Sequence, residues 1–256
     1  MSYYLTDTHC HITCDRLYAR IDEILEHAQN ANIKRLIVVC CSFEEYERAK
    51  LLKAKYDWIK IAFGFHPSEL YDFHEDDIYR LEEELKSGMI DILGEIGLDY
   101  HWDTVRKEDQ IKAFHYQLKL AKKYDLPISI HMRDATKDCM DILKQYAPLK
   151  GIMHCFSGSV ETAKEAVKIG LLISFAGPLT FKNSRQSVEV AKEIDASYLL
   201  VETDCPYLTP HPYRGKENEP MYVQYTFDKL CEIKEMDKDI LAKQLEDNLM
   251  KLLEKK

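Results

Sequence analysis

The residues of this chain with chemical potential are histidines and carboxylates, set two apart or at the ends of apolar runs. Asp7-Thr8-His9-Cys10-His11 comes first. In a strand, side chains alternate faces, so His9 and His11 point one way and Cys10 the other. Two imidazoles so placed form one side of a metal site. Further donors close later runs: His66, Glu95, His131, His154, and then Glu202 and Asp204 in Leu200-Val201-Glu202-Thr203-Asp204. The i, i+2 spacing puts Glu202 and Asp204 on one face as well. Taken alone, a histidine after a strand is more often a hydrogen-bonded structural residue, and a glutamate after a glycine is often just solvated. Unrelated structural residues, however, have no reason to recur at the same end of successive runs. Burying so many ionisable groups together costs on the order of several kcal/mol unless they are paired or metal-bound.

Four imidazoles (His9, His11, His131, His154) and two carboxylates (Glu95, Asp204) are too many for one tetrahedral catalytic ion with an open position. They suit two divalent cations. The division expected is His9, His11 and Asp204 on one and His131 and His154 on the other, with the two oxygens of Glu95 bridging. Imidazole-rich ligands admit zinc, manganese, nickel or iron, while oxygen donors admit magnesium.

The elements that must position these donors follow from periodicity. Short apolar, β-rich runs occur at Tyr3–His11, Ile33–Cys40, Ile59–His66, Ile90–Gly97, Pro127–His131, Gly151–Cys155, Leu171–Ala176 and Tyr198–Asp204. Amphipathic stretches lie between them. Leu17, Ile21, Ile24, Leu25 and Ala28 make one stripe, and Ile111, Phe114, Leu118 and Ala121 another. Ser42 with Glu45 reads as a capping box, Ser159 as a helix cap, and Gly170 as a helix stop. Pro220 suits a first helical turn ahead of Val223, Phe227 and Leu230. Leu241, Leu245, Leu249 and Leu252 mark a last helix. Eight strand–helix units predict an α/β fold, a single-domain (β/α)8 TIM barrel over 1–256, ahead of a doubly wound open sheet. The donors then gather at the C-terminal mouth of the barrel. The loop 206–220, with four prolines and one glycine, reads as functional rather than as a domain boundary.

Composition narrows the classes. At 256 residues, 46% hydrophobic and 31% charged, the chain can bury a sizeable core. A net charge of −9 argues against a broad basic face for nucleic acid, so any such contact is local. No basic segment followed by an apolar stretch opens the chain, and no run reaches the ~18 residues needed to span a bilayer. The expectation is a cytoplasmic protein with no membrane partner and no obligate protein partner. Its eight cysteines then read as reduced, mostly buried thiols.

At this point the chain resembles the TatD family of metal-dependent deoxyribonucleases, within the amidohydrolase-like barrels. The resemblance covers nearly the whole length. It is carried by Asp7-Thr8-His9-Cys10-His11, Gly64-Phe65-His66-Pro67, Gly94-Glu95-Ile96-Gly97-Leu98-Asp99, His131-Met132-Arg133-Asp134-Ala135, His154-Cys155-Phe156-Ser157-Gly158 and Val201-Glu202-Thr203-Asp204-Cys205-Pro206-Tyr207-Leu208, continuing to Asn218-Glu219-Pro220. It implies metal ligands at His9, His11, Glu95, His131, His154 and Asp204, and divalent-metal-dependent cleavage of DNA. A single strand or strand end as substrate, with 3′–5′ exonuclease action, rests mainly on this resemblance.

Phosphodiester hydrolysis needs an activated water, charge stabilisation and help for the leaving oxygen, all of which two cations about 3.5–4 Å apart supply. Asp204 is the candidate to orient that water and take its proton. Glu202 stands either in the proton path or behind a metal-binding histidine. His66 is a candidate donor to a phosphate oxygen. Arg133, Lys182, Arg214 and Lys216 are candidates for flanking phosphates. Tyr100, His101, Trp102, Phe181 and Tyr207 could stack bases, or could equally wall off the site. Two other readings stay open: the same site acting on RNA ends, a small phosphoester or an aminoacyl-tRNA ester, and a metal-binding protein without catalysis.

Overall fold

The computed structural model describes residues 3–72 and 75–254, so both ends of the expected 1–256 domain lie outside the described residues. Eight strands run β1 Leu5–Cys10, β2 Ile33–Cys40, β3 Ile59–Phe63, β4 Ile92–Asp99, β5 Ile128–Arg133, β6 Gly151–Met153, β7 Leu171–Phe175 and β8 Leu199–Val201. All neighbours pair in parallel, in the order β1 to β8. A doubly wound sheet reverses its strand order at a switch point, so this order excludes it. The helices are α1 Asp15–Tyr18, α2 Ile21–Asn30, α3 Phe43–Lys55, α4 Glu75–Lys86, α5 Lys107–Lys123, α6 Thr136–Gln145, α7 Val160–Lys168, α8 Arg185–Glu193, α9 Val223–Lys234 and α10 Lys238–Leu253.

The capping signals act as read. The Ser42 hydroxyl accepts from the Glu45 amide, and the Glu45 carboxylate accepts from the Cys41 amide at 2.8 Å. Ser159 caps α7 through the Thr162 amide. Pro220 sits in a short 3-10 turn just ahead of α9. All eight cysteines are free thiols. Among the described residues, no helix is long and apolar enough to cross a membrane.

Strand alternation divides the core in two. In β2, Leu36, Val38 and Cys40 face the helices, while Ile37 and Val39 point into the barrel. The inner layer adds Ala62, Ile92, Ile152 and Leu200, and α10 closes the barrel floor with Leu249 and Leu252. Each such aliphatic side chain contributes roughly 1.5–3 kcal/mol on burial. Above this floor the inward positions become polar.

Two local features bring the donors in. In β4, Ile92 faces inward and Leu93 outward, so strict alternation would turn Glu95 toward the helices. A register shift between Leu93 and Ile96 reverses the parity. Ile96 and Leu98 then join the outer core, and Glu95, Gly97 and Asp99 face in. The second feature is the seam between β8 and β1. Cys10 and Cys205 form a bridge; His11 N–H donates to Cys205 O and Asp204 N–H to His9 O, both at 2.9 Å. Beneath them Asp7 accepts from the Thr203 amide at 2.8 Å and from its hydroxyl, and the Thr8 hydroxyl donates to Val201 O at 3.0 Å.

Gly97 has φ +146°, and a Cβ there would lie 2.0 Å from His131 O on β5. Gly97→Ala is therefore expected to destabilise the fold by about 2 kcal/mol or more, whereas Gly88→Ala, at φ +73° in open space, should cost only about 1 kcal/mol. Denaturant midpoints of the two variants check the contrast.

Candidate metal centre at the barrel mouth

Glu95 is 3% exposed and lies among five imidazoles. Its Oε1 is 2.7 Å from His131 Nδ1, 2.7 Å from His154 Nε2 and 3.6 Å from His66 Nε2. Its Oε2 is 3.4 Å from His9 Nε2 and 3.8 Å from His11 Nε2. Asp204 Oδ1 faces the same two nitrogens, at 3.8 and 3.5 Å. The two carboxylate oxygens of one residue thus address two separate donor groups: His9, His11 and Asp204 on one side, His131 and His154 on the other.

Several donors are held from behind. His131 Nε2 bonds Asp99 Oδ2 at 2.8 Å, and His154 Nδ1 lies 3.3 Å from Glu202 Oε1, which also accepts from the Cys155 amide at 2.6 Å. Of the two places the sequence left open for Glu202, the structure gives the one behind His154, with no exposure to the mouth. Glu202 lies against His9 and His154, and Asp204 against His9 and His11. β8 ends at Val201 and Asp204 takes φ +58°, so alternation no longer applies. His11, His66, His154 and Asp204 likewise follow their strands, whereas His9, Glu95 and His131 lie within them.

The electrostatics follow from burial. Burial and the stacked His154 ring, 4.0 Å away, push His9 down. Burial acts the same way on His11, His131 and His154, but the carboxylates of Asp204, Asp99, Glu95 and Glu202 outweigh it and raise all three. Burial alone would raise Glu95; the rings of His154, His66 and His9 and the His131 hydrogen bond hold it well below the usual range. Asp204, opposed by burial in the same way, is lowered by its His11 bond. His66 is pushed down to about 3 by burial, and its Nδ1 accepts from the Ser68 amide at 3.2 Å. A neutral ring with an accepting Nδ1 carries its proton on Nε2, so His66 is a hydrogen-bond donor into the pocket.

The donor set fits divalent cations. His9 Nε2 and His11 Nε2 lie 3.1 Å apart, an arrangement that sets two lone pairs, or two charges, against each other unless a proton or a cation sits between them. His9 Nδ1 and Glu202 Oε2 are buried without a partner. The groups His9–His11–Glu95 and Glu95–His131–His154 each bring their donor atoms within reach of one ion.

Around the mouth, Arg133 lies over the Trp102 ring at 5.5 Å, Arg214 over Phe181 at 4.1 Å, Lys216 over Tyr213 at 5.2 Å and Arg16 over Tyr207 at 5.4 Å. Trp102 and Tyr207 are half exposed. Tyr100 departs from expectation. Its hydroxyl donates to Asp138 at 3.0 Å and Lys107 covers its ring, so it belongs to the support of its loop. The reason is parity: Asp99 points in, so Tyr100 points out. Asp99, Ser68 and Arg16 join the candidates only in the folded chain. Asp99 was findable, standing two pleats beyond Glu95 on the same face.

The pattern of the family described as "TatD related DNase" matches residues 6–254. YabD of Bacillus subtilis (strain 168), described as an uncharacterized metal-dependent hydrolase, is 42% identical over 250 residues, covering 97% of this chain and 98% of its own. YcfH of Escherichia coli (strain K12), described in the same words, is 32% identical over 255 residues, covering 97% and 95%. The crystal structure of YjjV, a TatD homolog from Escherichia coli K12, superposes with a TM-score of 0.92 at 30% identity over 97% of both chains.

Binding of a cation here must displace protons from the imidazoles whose pKa values are raised, His11, His131 and His154. Affinity should therefore fall as pH is lowered from 8 to 6. Zinc at a hundredfold excess over its dissociation constant should stabilise the protein by about 2.7 kcal/mol. Glu95→Gln should lose most of that gain. Melting temperature with and without zinc, at several pH values, measures both.

Proposed function

This chain belongs to the TatD-related DNase family, and from that premise we propose that it hydrolyses DNA phosphodiester bonds with two divalent cations, working 3′–5′ on single strands or strand ends. The observation that carries the reading is the division of Glu95, whose two oxygens face two separate sets of donors. His9, His11 and Asp204 would hold one ion and His131 and His154 the other, with Glu95 shared. When bound, such a pair polarises the phosphoryl group and makes water acidic enough to attack at neutral pH.

The protein's own residues do the rest. Asp204 is ionised at neutral pH and its side chain is 14% exposed, at the mouth. Its carboxylate can orient the attacking water and accept its proton. His66 stays neutral and offers its Nε2 proton to a phosphoryl oxygen, with Ser68 fixing the ring. Glu202 and Asp99 keep His154 and His131 turned inward. The Arg133–Trp102, Arg214–Phe181 and Arg16–Tyr207 pairs offer guanidinium groups to phosphates and ring faces to unpaired bases. Such local contacts suit a strand end on a protein whose net charge is −9.

Purified protein assayed side by side on single-stranded DNA, RNA and an aminoacyl ester, with magnesium, manganese, zinc or nickel, should shorten the DNA from its 3′ end. Intact DNA with a cleaved ester would refute the proposal and favour the ester reading. Asp204→Asn should fold normally and lose about 10²–10⁴-fold in kcat. Trp102→Ala should chiefly raise KM, by the equivalent of about 1–3 kcal/mol.

A further inference from the structure

Asp99 is 1% exposed and both of its oxygens are engaged. Oδ2 bonds His131 Nε2 at 2.8 Å, while the other nitrogen of that ring faces Glu95. Oδ1 accepts from the backbone amides of His101 at 2.8 Å and Trp102 at 3.4 Å. The backbone of Asp99 is pinned too. Its amide donates to Gln110 Oε1 at 2.9 Å, and Gln110 Nε2 donates to the carbonyls of Asp99 and Val105 at 2.8 and 3.1 Å. The segment between β4 and α5 is thus wrapped around one carboxylate, which leaves that group little freedom except rotation about its own side-chain bonds.

The same segment carries the exposed ring of Trp102. It is tied sideways to the end of β5 and the loop that follows, where Arg133 lies over Trp102 and His101 Nδ1 meets Asp134 Oδ2 at 3.0 Å. A ring rotation at His131 changes what Oδ2 must follow, and the plane of the carboxylate carries that change to the amides on Oδ1. We propose that Asp99 is a positioning residue that couples the His131 side of the metal pocket to the Trp102 segment, so that filling the pocket fixes where the aromatic platform stands. This rests on the reading of His131 as a metal-holding residue. Coupling of this kind is reciprocal: a nucleic-acid strand seated on Trp102 tightens the hold on the cation.

The test uses the full chain carrying Trp58→Phe, which leaves Trp102 as its only tryptophan; Trp58 lies ahead of β3 at the opposite end of the barrel. Zinc binding is measured by calorimetry, and Trp102 is followed by acrylamide quenching. Zinc should reduce quenching of Trp102 and slow hydrogen exchange of the His101 and Trp102 amides. Adding Asp99→Asn should weaken zinc about tenfold or more and abolish the zinc-dependent change even at saturation. A merely structural anchor would instead loosen Trp102 equally with and without zinc. Zinc bound with unchanged quenching and exchange in the Trp58→Phe protein overturns the coupling and leaves the pocket standing. No zinc bound at all overturns the pocket and the proposal together. An Asp99→Asn protein that keeps both responses removes Asp99 from the link. The exchange measurement needs no Asp99 variant, so it decides the coupling even if that variant does not fold.

Discussion

One buried carboxylate governs this molecule. Glu95 stands nearly sealed from solvent with five histidine rings within 3.8 Å of its oxygens. Stripping water from a carboxylate is costly, and only concentrated positive charge or strong donors offset it. The polar groups packed around it serve that requirement. Asp204 shares the imidazoles of His9 and His11, and Asp99 and Glu202 brace His131 and His154 from behind. The fold keeps together a set of groups that would otherwise prefer to be apart and hydrated.

The barrel separates stability from chemistry along its axis. The floor is packed with Ile37, Val39, Ala62, Ile92, Ile152 and Leu200 against α10, where Glu246 pairs with Arg35 and accepts from the Thr6 hydroxyl. The mouth uses the same inward positions one or two pleats further on. His154 stands two residues after Ile152, and His131 two after Ser129. The helices complete the outer core, while the strands end in Arg133 and in the loops that bear Trp102, Phe181 and Arg214. Loop chemistry can therefore vary without disturbing the packed floor.

Much of this was legible in the residues. The periodicity gave eight strands near their observed places, with β2 matching at both ends. The donors converge because each follows, or lies within, a strand whose end faces the same rim. What could not be read depends on departures from regular geometry. The shift in β4 that turns Glu95 inward leaves no mark on hydrophobic periodicity, since Leu93, Ile96 and Leu98 look like an ordinary buried run. The early end of β8 is equally silent: Glu202 and Asp204 both come after it, and Asp204 takes a φ of +58°. Asp99 escapes the pattern because the apolar run ends at Gly97, two residues before the strand does. Tyr100 was misplaced for the same reason, as its direction depends on where the strand stops.

The seam between β8 and β1 bears on how the protein comes into being. Asp7 and Thr203 lie 196 positions apart, and Asp204 meets His9 across the same junction. During synthesis the first strand is exposed to the cell long before the eighth has been made. A nascent chain therefore carries His9 and His11 with no carboxylate opposite them, and the pocket gains its full set of donors only once Asp204 has emerged. The donor set is in this way completed late, in the order in which the ribosome delivers the two edges of the sheet.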